Sequence, residues 1–370
     1  MRRRTLDRTT LIALLVGLYL LGGIAFQPTV ESRGYVHLWV AWAAFLIFNQ
    51  VTRDGEDALR LAVACLLVVG GLEGTYGLVQ VVTGFRFGTH PAWMPDVATG
   101  TLYNRNHFAG MMNMLFPLSL GVLLAFYQRG LRRSLERSEL FSQIWLLSLL
   151  SGLLGFTILL SGSRAGLASL IATLLCLTAY LRFGRGIRRL AGGWKLVVLV
   201  LALILALGGV FSFDLVVERF GSATDNLRER FQIYRDTMRM IVDQPLGTGP
   251  GMYVWTFRPY QSVAGRTWYD YAHNDYLQTT AEWGIPLALI FWIWVIRRLS
   301  YSLAAASACS GRWPAGVYLG CAASALTIVI HSLVDFNLYI PTNAMLFMAV
   351  LAIPHFPADS ASSIHTEDAS

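Results

Sequence analysis

The chain has 370 residues, of which 55% are hydrophobic and 14% charged, and its mean hydropathy is +0.52. Soluble domains carry more charge and less apolar sequence, so the composition predicts a polytopic membrane protein. The net charge of +7 comes mainly from arginine, since Lys195 is the single lysine. Arginine favours bidentate contacts with phosphate or carboxylate, so the charge does not require a nucleic acid partner. The four cysteines lack the spacing of a zinc site or a disulfide framework.

Roughly ten apolar stretches are long enough to cross a bilayer. The first follows four arginines and is interpreted as a retained helix rather than a cleaved signal peptide. The predicted spans are 11–26, 35–51, 58–82, 107–127, 143–161, 165–181, 196–213, 274–296, 315–334 and 339–354. The sequence therefore predicts an all-α integral membrane protein with about ten transmembrane helices and one large extracytoplasmic loop that contains short helices.

The predicted organisation has four parts, and basic residues orient it. Transmembrane helices 1–7 lie in 1–213, a loop domain in 214–272, helices 8–10 in 273–354, and a disordered cytoplasmic tail in 355–370. Placing the N-terminus in the cytoplasm puts most basic residues of the short connections on that side. The short loops opposite carry Arg33, Arg86, Arg105 and Arg164. Both termini are therefore predicted to be cytoplasmic and the loop domain to be outside.

Within the loop domain, residues 226–242 have the periodicity of a helix on the membrane surface. Its predicted apolar face consists of Phe231, Tyr234, Met238 and Ile241, and a separate stripe consists of Arg228, Arg235 and Arg239. The stripe is interpreted as facing solvent or lipid headgroups. Arg230 lies off the stripe and is predicted to point into the protein. The glycine-rich segment 247–251 lacks the lysine of a nucleotide-binding loop and is interpreted as a tight turn.

Several ionisable residues lie at predicted membrane boundaries. Arg164 follows a Gly/Ser-rich turn, which is consistent with a snorkelling side chain or with a phosphate pocket at a helix N-terminus. His273 is consistent with a structural hydrogen-bonding role or with a general base. Glu282 falls within an apolar span and is a functional candidate for that reason. The acid Asp275 and the pair His331 and Asp335 lie at the same predicted side of the membrane.

Four short motifs then occur in a fixed order. They are Asn104-Arg105-Asn106-His107-Phe108-Ala109, Ser163-Arg164-Ala165-Gly166, Arg230 to Tyr234 followed by Asp243 to Gly249, and His273-Asn274 followed by Gly284-Ile285-Pro286. From about residue 100 onward this order resembles the O-antigen ligase and polymerase superfamily. The chain departs from the family pattern at Tyr234, where tryptophan is frequent, and at Leu287, where many members have glycine.

The resemblance implies an inverting, metal-independent glycosyltransferase that works without a cofactor on the periplasmic face of the bacterial inner membrane. The donor would be a glycan on undecaprenyl pyrophosphate, and the acceptor would be lipid A-core, a growing glycan or a protein. His273 would deprotonate or position the acceptor hydroxyl, and Arg164 and Arg230 would bind the pyrophosphate. The implied substrate-binding residues are Arg105, Asn106, Arg235, Tyr271 and Asn274.

Two other interpretations of the sequence stay open. The first is a transporter or exporter, because many spans and the intramembrane acids Glu282 and Asp335 suit an ion-coupled path. The second is a structural component of an envelope polysaccharide complex. The sequence does not distinguish ligase, polymerase and protein-glycosylating enzymes.

Overall fold

A computed structural model describes residues 33–87, 97–130, 137–184, 187, 190–262 and 268–354. These residues form α-helices and short 3-10 turns, and no β-strand occurs among them. The predicted all-α class is therefore confirmed for the described part of the chain. The predicted span 11–26 and the predicted tail 355–370 lie outside the described residues.

The helices follow the predicted spans closely. They are α1 (Arg33–Val51), α2 (Glu56–Thr83), α3 (Arg105–Gly130), α4 (Arg137–Leu160), α5 (Arg164–Phe183), α6 (Trp194–Asp243), α7 (Tyr253–Thr256), α8 (Asp275–Ala308), α9 (Arg312–His331) and α10 (Pro341–Ala352). Within the described ranges, six helices are long and apolar enough to cross a membrane, namely α2, α3, α4, α5, α8 and α9. Helices α1 and α10 and the start of α6 are apolar but shorter. The count of ten spans stays a prediction.

Helix α6 is longer than the sequence pattern indicated. It continues past the predicted span 196–213 and runs to Asp243, so residues 214–243 are helical and the non-helical connection begins at Gln244. The periodicity predicts a helix over 226–242, so the unexpected part is 214–225, which joins that helix to the span. Its polarity suggests a loop, but residues 214–243 contain no proline and one glycine, and polarity alone does not end a helix. Pro245 follows closely, and the helix ends before it as predicted.

By their internal contacts the residues divide into two compact units. The scaffold unit comprises residues 51–219 and 296–331, and the loop unit comprises residues 33–50, 220–295 and 332–352. In the scaffold unit, α3 is the central helix, because its whole apolar window is buried against neighbours that include α4 and α9. A Cβ atom at Gly121 of α3 would lie 2.3 Å from the carbonyl oxygen of Gly316 and 2.7 Å from Cα of Gly320. Small residues on both helices therefore allow the backbones to touch.

The loop unit contains a break in α8. Gly284 adopts φ 80° and ψ 160°, outside the helical region, and Pro286 follows it. In an unbroken helix the carbonyl groups of Ala281 and Glu282 would accept hydrogen bonds from the residues four positions later. Pro286 has no N–H group, and the break moves the N–H of Ile285 away. Two carbonyl groups inside an apolar helix thus need other donors.

The turn after α6 supplies those donors. The N–H of Thr248 donates to the first of these carbonyls at 3.1 Å, and the N–H of Gly249 donates to the second at 2.8 Å. In return, the N–H of Ile285 donates to the carbonyl of Pro245 at 2.9 Å. The two glycine-containing motifs are therefore one interlock, which we call the kink interlock. The tight turn predicted at 247–251 is confirmed, since all three of its glycines have positive φ.

Candidate active site

The start of α8 is joined to the turn that follows α9. Asn274 caps α8, because its Oδ1 accepts from the N–H of Leu277 at 3.0 Å, and its Nδ2 donates to the carbonyl of Leu333 at 2.9 Å. Asp275 is fully buried and accepts from Ser332 Oγ at 2.7 Å. These contacts assign Asn274 and Asp275 to anchoring the segment rather than leaving their side chains open to a substrate. The turn 332–335 and the α8 N-terminus form one frame.

His273 is held directly beside this frame. Its backbone has φ +51°, which is uncommon for a residue other than glycine and is found at functional sites. Its Nδ1 atom lies 3.9 Å from Oδ1 of Asp335, and its ring meets the Phe336 ring edge-on at 5.0 Å. The side chain is 31% exposed although Nδ1 itself is buried. The exposed part of the imidazole is therefore the part that points away from Asp335.

Asp335 is the functional candidate that the sequence reasoning did not connect to His273. The sequence pairs Asp335 with His331 at a spacing of four residues, but α9 ends at His331 and Asp335 follows in the turn. The Asp335 side chain is 1% exposed, and its Oδ1 accepts from the N–H of Phe336 at 2.9 Å. A separation of 3.9 Å is an electrostatic contact rather than a hydrogen bond, and such contacts are frequently long before substrate binds. The sequence signal that could have linked the two residues is that Asp335 follows a predicted span and lies on the same predicted side of the membrane as His273.

Arg230 and Tyr234 approach the same frame from α6. The guanidinium of Arg230 donates to the carbonyl of Val334. One helical turn later, the Tyr234 hydroxyl donates to the carbonyl of His273 at 2.9 Å. Burial raises the pKa of Tyr234, and the neighbouring Arg230 charge offsets this effect in part. The phenol is thus protonated at neutral pH and serves as a donor that holds the His273 backbone.

Tyr271 packs against Phe336, the residue whose ring contacts His273. Its ring stacks on Phe336 at 4.1 Å with an angle of 6° between the planes, and it lies edge-on to Tyr339 at 6.2 Å. Burial, followed by the charge of Asp270, raises the pKa of Tyr271. The Tyr271 side chain therefore supports the ring that contacts His273.

The predicted apolar face of residues 226–242 is divided between the protein core and the surface. The buried residues of this segment are Ile233, Asp236, Thr237, Met240 and Ile241. Phe231 and Met238 are instead 66% and 49% exposed. The side that packs on the protein also includes polar residues, since Asp236 accepts from the Ser262 N–H and hydroxyl at 2.8 and 2.6 Å. Arg235 is exposed.

Two predicted arginines are found in the scaffold unit, each at the first residue of a helix. Arg105 begins α3 after Asn104, whose Oδ1 accepts from the Asn106 N–H at 2.8 Å. Arg164 begins α5 after the N-cap Ser163, whose hydroxyl accepts from a first-turn N–H at 3.2 Å. The structure therefore places Arg164 at the Gly/Ser-rich helix N-terminus that the sequence predicted.

The first turns of α3 and α5 pack against each other. Asn113 Nδ2 donates to the carbonyl of Gly166 at 2.9 Å, and a Cβ atom at Gly166 would lie 2.7 Å from the Ala109 side chain. A cation at a helix N-terminus is unfavourable, because that end of the dipole is already positive. Arg105 and Arg164 stand at the N-termini of two helices that contact each other, and a helix N-terminus is a position that favours a bound anion.

Glu282 has a structural role in these contacts. Its carboxylate accepts from the N–H groups of Gly251 at 2.8 Å and Tyr253 at 3.4 Å, and from Gln278 Nε2 at 3.1 Å. The buried carboxylate thus accepts three hydrogen bonds, and two of them hold the end of the turn in the kink interlock against α8. The burial of Glu282 is thus explained by backbone hydrogen bonding, as expected for buried charged groups.

These features define a helical membrane protein in which a polar connection presents a histidine beside a buried carboxylate. Residues 149–311 match the family model described as O-antigen ligase. The matched stretch includes Arg164, Arg230 and His273, and it ends before α9. The resemblance to the O-antigen ligase and polymerase superfamily is thereby confirmed, and the match supports glycosyl transfer at a membrane. A comparison of the chain with curated proteins found no match.

Proposed function

We propose that this protein transfers a glycan from undecaprenyl pyrophosphate to an acceptor hydroxyl at the periplasmic face of the bacterial inner membrane. The observation that carries the proposal is the His273 imidazole, which turns Nδ1 towards buried Asp335 and its open part away from it. A carboxylate at one ring nitrogen stabilises the imidazolium that forms when the other nitrogen accepts a proton.

The proposed step is a direct displacement. The acceptor oxygen bonds to the anomeric carbon, the bond from that carbon to the diphosphate oxygen breaks on the opposite face, and Nε2 of His273 takes the hydroxyl proton. Attack opposite the leaving group inverts the anomeric configuration. The products are the glycosylated acceptor and undecaprenyl pyrophosphate.

The leaving diphosphate gains charge as the bond breaks, and arginine can neutralise that charge. We assign Arg230 to this task because it lies one turn before Tyr234, which holds His273. On the family resemblance we assign Arg164 to the diphosphate as well and Arg105 to substrate binding, and each of these arginines begins a helix of the scaffold unit. These roles also follow from the family resemblance and require no metal ion.

Reconstitution with purified components tests the proposal. Purified protein would be mixed with a synthetic undecaprenyl-pyrophosphate glycan and the isolated envelope acceptor, and the product followed by mass. We expect Arg230→Lys and Arg164→Lys to lower transfer by about a hundredfold, because lysine cannot replace a bidentate guanidinium. Arg228→Lys, on the exposed stripe, is the matched control. Wild-type turnover by both variants would refute the arginine assignment, and attachment to lipid or extension of glycan would distinguish ligase from polymerase.

A second prediction concerns Tyr234. Tyr234→Phe removes the hydrogen bond to the His273 carbonyl, which is worth about 1 kcal/mol, so transfer should fall by roughly fivefold at equal protein level. Tyr234→Trp restores an N–H donor and should recover part of the rate. Tyr260→Phe, elsewhere in the same unit, is the control. Equal rates for Tyr234→Phe and wild type would show that this bond does not position the histidine.

The transporter interpretation is based on the many spans and on the two acids Glu282 and Asp335. The Glu282 carboxylate accepts from the N–H groups of Gly251 and Tyr253, and the Asp335 carboxylate lies beside His273, so both acids have contacts that ion coupling does not need. Glycan transfer is the function that the described contacts favour.

A further inference from the structure

Two tryptophans are prominent on the surface of the connection between α6 and α8. Trp255 lies in α7 and is 48% exposed, and Trp268 precedes Tyr269 and is 60% exposed. Tryptophan is usually well buried, so two exposed indoles in one short connection form a surface feature that calls for a partner.

Arg258 joins the two indoles. Its guanidinium carbon lies 4.4 Å from the ring centroid of Trp255 and 4.6 Å from that of Trp268. One face of each indole is therefore covered by the cation, and the exposed area belongs to the rest of each ring. Cation–π contacts of this kind fix the two rings relative to each other. We call these three residues the tryptophan platform.

The platform rests on a rigid base. Tyr253 and Phe257, on either side of Trp255 in sequence, are 1% and 0% exposed and stack on each other at 4.8 Å. The hydroxyl of Tyr253 also shares a 2.7 Å hydrogen bond with Thr237 of α6. The platform is thus preorganised, which lowers the entropic cost of binding a ligand.

The platform is also continuous with the site. Tyr269, next to Trp268, donates a hydrogen bond to Glu229, the residue before Arg230. Trp268 precedes His273 by five residues, which span at most about 17 Å of extended chain. A polymer whose end lies at His273 can therefore reach the two indoles.

We propose that the tryptophan platform binds the saccharide chain of the donor or acceptor, away from the reacting end. A pyranose ring presents an apolar C–H face that packs on the electron-rich face of an indole, and a guanidinium edge donates to sugar hydroxyls or carboxylates. The inference rests on the proposed function. Tryptophan and arginine also occur as single anchors at lipid headgroups, but an anchor needs neither paired rings nor a shared cation.

A binding measurement on the full chain in nanodiscs tests this proposal. The probes are fluorescent oligosaccharides cut from the source strain's own surface polysaccharide, one and five repeat units long. Wild type should bind the longer probe more tightly, and the variant carrying both Trp255→Ala and Trp268→Ala should lose about tenfold in affinity for it. Trp145→Ala, an exposed tryptophan of α4, should bind like wild type.

The outcomes separate this proposal from the proposed function. His273→Ala should bind the longer probe normally while transfer is lost, so a failure of catalysis and a failure of the platform give different results. Unchanged affinity in the double variant, or no preference of wild type for the longer probe, would overturn the platform. If affinity is unchanged and the double variant lowers the melting temperature only in nanodiscs of certain lipids, the indoles are lipid-headgroup anchors. That result also overturns the platform proposal.

Discussion

Replacing His273 with alanine is expected to lower glycan transfer by about a hundredfold to ten-thousandfold, the range that a general base contributes. The physical reason is that the imidazole proposed to accept the hydroxyl proton is lost, whereas the arginines assigned to the donor diphosphate are unchanged. The measurement is surface glycan on gels from a deletion strain that expresses the variant, together with turnover by purified protein.

The controls for this variant address folding. His37→Ala removes a half-buried histidine of α1 in the same unit and should keep wild-type turnover. Asp335→Asn keeps the shape of the carboxylate without its charge and should lower the rate by roughly ten- to a hundredfold. A wild-type amount of surface glycan with His273→Ala at normal protein level would show that the histidine is structural. The interpretation as a structural component of an envelope polysaccharide complex would then be favoured.

Replacing Gly284 with alanine should destabilise the protein by about 2 to 6 kcal/mol. Two costs combine: the residue has φ 80°, and an added Cβ would lie 2.4 Å from the backbone carbon of Leu246. That neighbour is main chain held by the kink interlock, so it cannot move aside cheaply. Thermal melting of purified protein in detergent measures the effect.

Gly55 provides the control, because its φ of 126° and ψ of −179° lie in the same glycine-only region as those of Gly284, and nothing lies within 4 Å of an added Cβ. Gly55→Ala therefore carries a dihedral cost of about 1 to 3 kcal/mol without the steric one. The difference between the two variants isolates the contact across the interlock. Equal melting temperatures would contradict the tight packing of α8 against the turn.

The elements that sequence predicted well are those with a local physical cause. Each predicted span after the first coincides with a helix, because hydropathy and length are properties of the segment itself. The same holds for the helix end before Pro245 and for the position of Arg164 at the start of α5. The unexpected length of α6 shows the limit of this reasoning, since polarity alone does not separate a loop from a helix.

The parts that sequence could not supply depend on contacts between distant residues. Asp335 lies 62 positions after His273, and no periodicity links them. The burial of Asp236 in the 226–242 segment depends on Ser262, a partner that hydropathy does not reveal. Glu282 is a functional candidate on the sequence because it lies in an apolar span, and the backbone N–H groups that it accepts from belong to a remote turn.

The kink interlock also has a consequence for biosynthesis. The amide groups of Thr248 and Gly249 are hydrogen-bonded to the carbonyls of residues 281 and 282, which the ribosome adds 33 residues later. At roughly 5 to 20 residues per second, the turn waits about two to seven seconds for its acceptors. During that interval it is an unfinished hairpin with unpaired donors, so the connection cannot reach its final shape until α8 has entered the membrane. Maturation of the His273 segment is therefore tied to insertion of the helix that follows it.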